Sequence, residues 1–356
     1  MAQRAAHTIP RTFDILKISH CKITAFRETY PSRIDPEKQK KREENLTRGK
    51  YNGYLSPKTK IKIREYLHNW IHSVERYFEG RRQFRRKTGV EFVFVTLTLP
   101  AYQNHEDTEI KRRALKPFIQ QLQRKHHVQN YFWVAEVQKN GNIHFHLIVD
   151  RRIDHRHLRK LWNSYMADLG YIQDYRDAQE YTHRNGFNYR SELEQSWPKE
   201  AQYLAYKTGV ATNWSNPNST DVKKIKHVKN LAAYLTKYIT KSDGSRPIEG
   251  RLWGCSDSLR DVKGISIPLS SRLKQVLMSL AQEKGSEFFG TDFNWTLWRF
   301  DSDVLHDRFP VLAEIWRNFS KHCIRMLYPS WLHSSFFDSL APSVSQQELE
   351  LVPVYA

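Results

Sequence analysis

Apolar and polar positions alternate in the central part of the chain in a way that separates strands, helices and turns. Strand candidates are rich in aromatic and β-branched residues and occupy 94–99, 131–137 and 143–149. Apolar residues at helical spacing predict helices over about 56–85, 107–126, 154–169 and 225–241. This mixture predicts an α+β fold, in which helices cover a mostly antiparallel sheet.

Two histidines of the 143–149 strand form the most informative motif. Successive side chains of a strand point to opposite faces, so His144 and His146 project to the same side. Imidazole is the commonest nitrogen donor for divalent metals, and two imidazoles leave positions for a third protein ligand, water and substrate. The alternative interpretation is that both histidines are hydrogen-bonded residues inside a sheet.

The turn before this strand decides which residue is the third ligand. A two-residue Asn-Gly loop would put Glu136 on the face away from the histidines. If 139–141 form a three-residue loop with Gly141 in the left-handed region, Glu136 lies directly across from His144. We predict the second register, with Glu136 as the third ligand and Gln138, on the same face, as the alternative.

A second pair of histidines at the same spacing, His155 and His157, has a different context. It follows Asp154, a suitable helix N-cap, and precedes apolar residues at helical spacing. Residues two apart on a helix do not face one another. We therefore interpret this pair as the basic start of a helix and not as a metal site.

The predicted helix over 225–241 carries two tyrosines, Tyr234 and Tyr238, one turn apart on one face. Each begins the same tetrad, Tyr-Leu-Thr-Lys and Tyr-Ile-Thr-Lys, which puts Lys237 and Lys241 beside them. The alternative interpretation is that both tyrosines pack at the rim of the core. The repeated tetrad favours a functional role.

These motifs resemble the HUH endonucleases, and most closely the two-tyrosine rolling-circle replication initiators of small single-stranded DNA phages and certain bacterial plasmids. Residues 94–99 correspond to the family's first motif, His144-Phe145-His146 to the second and 233–241 to the third. Glu136 matches an acidic ligand that some relatives carry shortly before the histidines. The resemblance covers about 91–241 and implies an RRM-like palm, a mostly antiparallel sheet with the tyrosine helix laid across it.

The resemblance also implies a reaction. His144, His146 and Glu136 would hold Mg²⁺ or Mn²⁺ against the scissile phosphate of single-stranded origin DNA. A tyrosine would attack, giving a 5′-phosphotyrosine and a free 3′-hydroxyl, and the second tyrosine would rejoin the strand after a round of synthesis. Lys237 and Lys241 would steady the phenolate or position the backbone phosphate.

Charge and composition agree with a nucleic-acid partner. The chain has 57 Lys and Arg against 38 Asp and Glu, a formal net charge of +19. The sequence shows no GxxxxGK[ST] phosphate loop, so we expect a host helicase to unwind DNA for a host DNA polymerase. Three scattered cysteines and the lack of a signal-peptide or membrane-spanning pattern lead us to expect a protein of the bacterial cytoplasm with no membrane partner.

The pattern along the chain suggests four parts: a basic N-terminal arm and helix over 1–85, a nuclease domain over 86–265, a C-terminal extension over 266–340 and a mobile tail over 341–356. The smaller predicted features are a charge run at 37–42, a further strand at 171–175, a polar lid or DNA-contacting insertion at 184–219, and a short strand near 250–256.

Three other functions share some of these motifs. A two-tyrosine rolling-circle transposase commonly has a cysteine-rich zinc module, and this sequence has only three dispersed cysteines. A conjugative relaxase usually has its tyrosine before the histidines, the reverse of the order found here. An origin-binding initiator that has lost cleavage would bind DNA without covalent capture.

Overall fold

The structure of the protein is a computed structural model. The residues it describes are 11–19, 22–30, 37, 40–41, 52–78, 89–224, 246–262, 264–282, 287–290, 294–298 and 310–329. The chain divides into two compact units, formed by 1–51, 61–81 and 257–356, and by 52–60 and 82–256. Each unit contains a five-stranded antiparallel sheet, which confirms the predicted α+β class. Of the helices in the described residues, none is both long and apolar enough to cross a membrane.

The elements follow in chain order: β1 (Arg11–Ile18), β2 (Lys22–Tyr30), α1 (Pro57–Phe78), β3 (Val90–Thr98), α2 (Asp107–Ile110), a π-helical turn (Lys111–Leu115), α3 (Lys116–His126), β4 (Tyr131–Val137), β5 (Ile143–Arg151), α4 (His155–Asp168), α5 (Tyr171–Thr182), a 3₁₀ turn (Ser191–Leu193), α6 (Lys199–Ala211), β6 (Thr220–Lys224), β7 (Trp253–Cys255), α7 (Asp257–Asp261), β8 (Ile265–Pro268), α8 (Ser271–Ala281), β9 (Glu287–Gly290), β10 (Trp295–Trp298) and α9 (Pro310–Leu327).

The sheet that carries the two histidines has the order β6-β3-β5-β4-β7. Alternate residues of its strands pack with the helices in one core, and Phe145 of β5 contacts Trp162 of α4 edge to face. The Trp162 indole also donates a hydrogen bond to the Thr98 carbonyl oxygen at 2.9 Å. Because this face is committed to the core, the histidines, which alternate with Phe145, lie on the other face.

The predicted start of α4 is confirmed. The Asp154 carboxylate accepts hydrogen bonds from the backbone N–H groups of Arg156 and His157, as an N-cap does. His155 and His157 are both exposed on the first turn of this helix. The second histidine pair is therefore part of a helix start, as predicted.

The predicted strand at 171–175 is wrong, because these residues form the first turns of α5. Gly170 has a φ of +84°, and its carbonyl oxygen accepts from Gln173 and Asp174. This turn starts a helix whose first two residues, Tyr171 and Ile172, are buried. Aromatic and branched side chains suit a strand, but here packing stabilises a helix instead.

The basic N-terminal region contains two strands that the sequence analysis did not predict. β1 pairs with β2 and β8, and β2 also pairs with β10, all antiparallel. Alternate residues of the two strands are buried: Leu16, Ile18, Ile23 and Ala25. The four predicted parts of the chain remain a prediction, and the tail at 341–356 and most of the charge run at 37–42 lie outside the described residues.

A buried carboxylate closes the turn between α3 and β4. Asp150 has no exposed surface, and its oxygens accept hydrogen bonds from the backbone N–H groups of Gln129 and Asn130 at 3.1 and 2.9 Å. Burial raises the pKa of Asp150 to about 6, although these hydrogen bonds oppose the rise.

This pKa predicts how stability depends on pH. Because the folded-state pKa lies above the unfolded one, protonation of Asp150 favours folding below about pH 4, and that contribution is lost as the pH rises through about 6. The free energy of unfolding of the wild type, relative to Asp150→Asn, should therefore fall by about 2–3 kcal/mol between pH 4 and 7. Urea unfolding at several pH values measures the difference, and parallel curves would contradict it.

Candidate metal centre

The β4–β5 hairpin has the predicted register. Gly141 has a φ of +86°, and its N–H donates to the Gln138 carbonyl oxygen at 2.9 Å. The three-residue loop places Glu136 directly opposite His144 in the strand pairing. A residue with a β-carbon would be strained at this φ, so the glycine fixes which face carries Glu136.

Glu136, His144 and His146 lie together on the face away from the helical core. The two imidazole rings are 4.4 Å apart between centroids and nearly perpendicular, at 76°. An oxygen of the Glu136 carboxylate lies 2.9 Å from Nε2 of His146. Both histidines are buried, while the glutamate is partly exposed. The structure thus brings together the three residues predicted as metal ligands.

The neighbouring strand orients both rings. Thr96 and Thr98 of β3 lie opposite His146 and His144 in the strand pairing. Their hydroxyls are 3.3 and 3.4 Å from the respective Nδ1 atoms. A hydrogen bond at Nδ1 leaves Nε2 as the coordinating nitrogen and fixes the ring orientation, as partners of metal-ligating histidines commonly do. Phe94 stacks on the His146 ring at 5.3 Å.

The charge state of His144 suits coordination. Burial lowers the pKa of His144 to about 4, the nearby His146 lowers it further, and Glu136 opposes the shift. The imidazole of His144 is therefore neutral at neutral pH. Only the neutral ring has a free nitrogen lone pair for a cation.

Two nitrogens and a carboxylate oxygen form a donor set that accommodates Mg²⁺ or Mn²⁺. Among the residues that the structure describes, no group of three His, Cys, Asp or Glu side chains already has metal-site spacing. The reason at this site is the direct contact between Glu136 and Nε2 of His146. A cation held by all three side chains would have to replace this contact.

A buried ion pair braces the end of the hairpin next to the histidines. Asp107, only 1% exposed, accepts two hydrogen bonds of 2.7 Å from the Arg246 guanidinium. It also accepts from the Gln103 amide and the Glu249 N–H. Burial alone would raise the pKa of Asp107, but the hydrogen bonds from Arg246, Gln103 and Glu249 outweigh burial and hold the pKa below its usual value.

The same network contacts the hairpin directly. Nε of Arg246 donates to the Gly141 carbonyl oxygen at 3.1 Å, and the Gln103 side-chain oxygen accepts from the N–H of Ile143 at 2.6 Å. Ile143 immediately precedes His144. The sequence analysis did not identify Gln103, Asp107 or Arg246, because residues up to 143 positions apart meet here without a local motif.

Strand β6 adds two charged residues to the face that carries the histidines. In the pairing of β6 with β3, Asp221 lies opposite Thr96, and Lys223 lies opposite Phe94. Both side chains are exposed and form an ion pair of 2.9 Å. The sequence analysis did not predict this strand, because its five residues, Thr-Asp-Val-Lys-Lys, contain only one apolar side chain.

The predicted nucleophiles are not among the described residues. Tyr234, Lys237, Tyr238 and Lys241 lie in the segment 225–245, outside the residues that the structure describes. The chain is described up to Lys224, in β6, and again from Arg246, in the network at the hairpin. Both flanking positions therefore belong to the structure that surrounds Glu136, His144 and His146.

Residues 92–243 match the family model of the ORF2-type replication-associated proteins. The matched region is less than half of the 356-residue chain, and it includes the three candidate ligands and both tyrosines. No curated protein and no solved structure is detectably similar to the chain. The family match supports a role for this region in the initiation of DNA replication.

Proposed function

We propose that the chain initiates rolling-circle replication of a phage or plasmid genome by nicking single-stranded DNA at the origin. The observation that carries this proposal is the convergence of Glu136, His144 and His146 on one sheet face. The match of the surrounding region to a replication-associated family agrees with it. Single-stranded origin DNA is the proposed partner, and we assign unwinding and synthesis to a host helicase and polymerase in the bacterial cytoplasm.

The proposed metal ligands are Nε2 of His144, Nε2 of His146 and the carboxylate of Glu136. Bound Mg²⁺ or Mn²⁺ supplies positive charge that polarises the scissile phosphate. Thr96 and Thr98 hold the two rings by their Nδ1 atoms, and the burial of both rings limits access of water to them. These roles account for polar side chains on a sheet face that also carries buried Phe94.

The covalent step is a transesterification. The phenol oxygen of Tyr234 or Tyr238 bonds to phosphorus as its proton leaves, the bond from phosphorus to the 3′ oxygen breaks, and that oxygen takes up a proton. One phosphodiester is exchanged for another, so no external energy source is needed. The other tyrosine then attacks the regenerated junction and releases a closed strand. Because a phenol with a pKa near 10 is a weak nucleophile, Lys237 and Lys241 are proposed to favour phenolate.

Covalent capture of labelled DNA tests this proposal. Purified protein is incubated with a single-stranded oligonucleotide pool from the origin region of its own element, with Mn²⁺ or EDTA, and run on a denaturing gel. We expect a metal-dependent adduct in wild type and in each single variant, Tyr234→Phe and Tyr238→Phe. The double variant should form none, because no phenol remains at either position.

The exposed Tyr181 provides a matched control, since Tyr181→Phe removes a phenol elsewhere in the same unit and should leave the adduct unchanged. An adduct that persists in the double variant would show that another residue is the nucleophile. DNA binding without any adduct would instead favour a noncatalytic origin-binding protein. The contact between Glu136 and His146 favours that second function, because it lets both side chains serve a purely structural role.

A further inference from the structure

The α5–α6 lobe, residues 171–214, has its own aromatic core. His183 stacks on Trp214 at 5.2 Å, and Tyr206 of α6 lies 4.8 Å from His183. A β-carbon added at Gly209 of α6 would lie 2.0 Å from the Trp214 ring. Helix α6 therefore packs on this core through the side that contains Tyr206 and Gly209.

The opposite side of α6 is apolar and exposed. Tyr203 is 44% exposed, Leu204 66% and Val210 56%. With Glu200 and Lys207 they recur at intervals of three and four residues and form one stripe along the helix. We call these five residues the α6 stripe. Exposed apolar stripes of this kind mark contact surfaces.

The charge of the lobe argues against DNA as the molecule that covers the α6 stripe. Residues 171–214 contain five Lys and Arg and six Asp and Glu, although the whole chain has a net charge of +19. Nucleic-acid surfaces rely on an excess of basic side chains that neutralise phosphates. The lobe is also where two copies of this basic chain repel each other least.

The order of residues along the stripe is complementary to itself. When two α6 helices lie antiparallel about a two-fold axis midway between Tyr203 and Leu204, Glu200 of each copy lies opposite Lys207 of the other. Tyr203 of each copy then lies opposite Leu204 of the other. Both charges are matched twice, as an isologous interface requires.

We propose that the α6 stripe is a homodimer interface in which the α6 helices of two copies pair antiparallel. Tyr203, Leu204 and Val210 provide the apolar contact, and the two Glu200–Lys207 pairs set the register. The contact is small, so we expect dimerisation in the micromolar range and not the nanomolar range. This proposal concerns assembly and does not depend on nicking.

Sedimentation velocity of the full chain without DNA tests the proposal, over about 1–100 µM and at about 0.15 M salt to screen the net charge. Wild type should shift from monomer to dimer across this range. Glu200→Lys presents lysine at both charged positions and Lys207→Glu presents glutamate at both, so either variant alone should dimerise about tenfold or more weakly. An equimolar mixture of the two should form a heterodimer, and the double exchange should restore the homodimer.

The control is Glu192→Lys, in the 3₁₀ turn of the same lobe, which makes the same charge change away from α6 and should leave dimerisation unchanged. Circular dichroism checks that every variant is folded. A wild type that stays monomeric at 100 µM would overturn the proposal, and so would single variants whose mixture stays monomeric. Loss of single-stranded DNA binding in Leu204→Ser, with the wild type monomeric, would assign the stripe to DNA and reject the dimer.

Discussion

Replacing His146 with alanine is expected to lower the rate of covalent DNA capture by about 10³-fold, the several kcal/mol that a bound metal contributes to such a transition state. The variant loses one nitrogen donor and the contact of that nitrogen with Glu136. His144 and Glu136 alone would bind Mn²⁺ weakly and with more freedom. Adduct formation measured against Mn²⁺ concentration gives the rate, and calorimetry gives the metal affinity.

His157→Ala is the matched control, because His157 belongs to a second histidine pair but is exposed on α4. It should leave both the rate and the Mn²⁺ affinity unchanged. Thr96→Val should give an intermediate loss of about 10–100-fold in metal affinity, since the ring of His146 loses the hydrogen bond at Nδ1. If His146→Ala retained wild-type stimulation by Mn²⁺, the histidines would be structural residues and the metal would bind elsewhere.

Arg246→Ala is expected to reduce the free energy of unfolding by about 3 kcal/mol, near the lower end for broken buried ion pairs because Arg246 itself is one-third exposed. The substitution leaves the Asp107 carboxylate buried with only the Gln103 amide and the Glu249 N–H. It also removes the hydrogen bond to Gly141 at the tip of the hairpin. Urea unfolding at pH 7 measures the change.

An exposed ion pair on a neighbouring helical segment supplies the comparison. Arg113 and Glu109 are 2.9 Å apart with both side chains at least 32% exposed, and Arg113→Ala should cost at most about 0.5 kcal/mol. Since the pKa of Asp107 is lowered in the folded state, the contribution of its pair is complete above the unfolded pKa and is lost as the pH falls through the folded one. Equal effects of the two arginine substitutions would show that the buried pair has no special role.

The candidate site could be predicted from sequence because its geometry is set locally. A left-handed glycine at 141 defines the loop, the loop defines the register, and the two-residue period of a strand then puts Glu136, His144 and His146 on one face. The N-cap of α4 is equally local, since Asp154 bonds to residues two and three positions ahead. In both places the deciding residues are close neighbours along the chain.

Features that depend on distant residues were missed for a physical reason. Strand β1 pairs with β8, about 250 residues away, so its place in a sheet is set by packing and not by its own charged sequence. Arg246 and Asp107 are separated by 139 positions, and an acidic residue in the first turn of a helix is ordinarily explained by the helix dipole. Local patterns cannot predict which distant side chain a buried carboxylate will bind.

The chain between β6 and the Arg246 network has a fixed length, and this limits how far the proposed nucleophiles can travel. Tyr238 is eight residues from Arg246 and Tyr234 is ten from Lys224, so their α-carbons stay within about 29 and 36 Å of these points even in a fully extended chain. A tether this short gives an attached group a millimolar effective concentration. The second tyrosine would thus remain available throughout a round of synthesis, whatever the concentration of free protein in the cell.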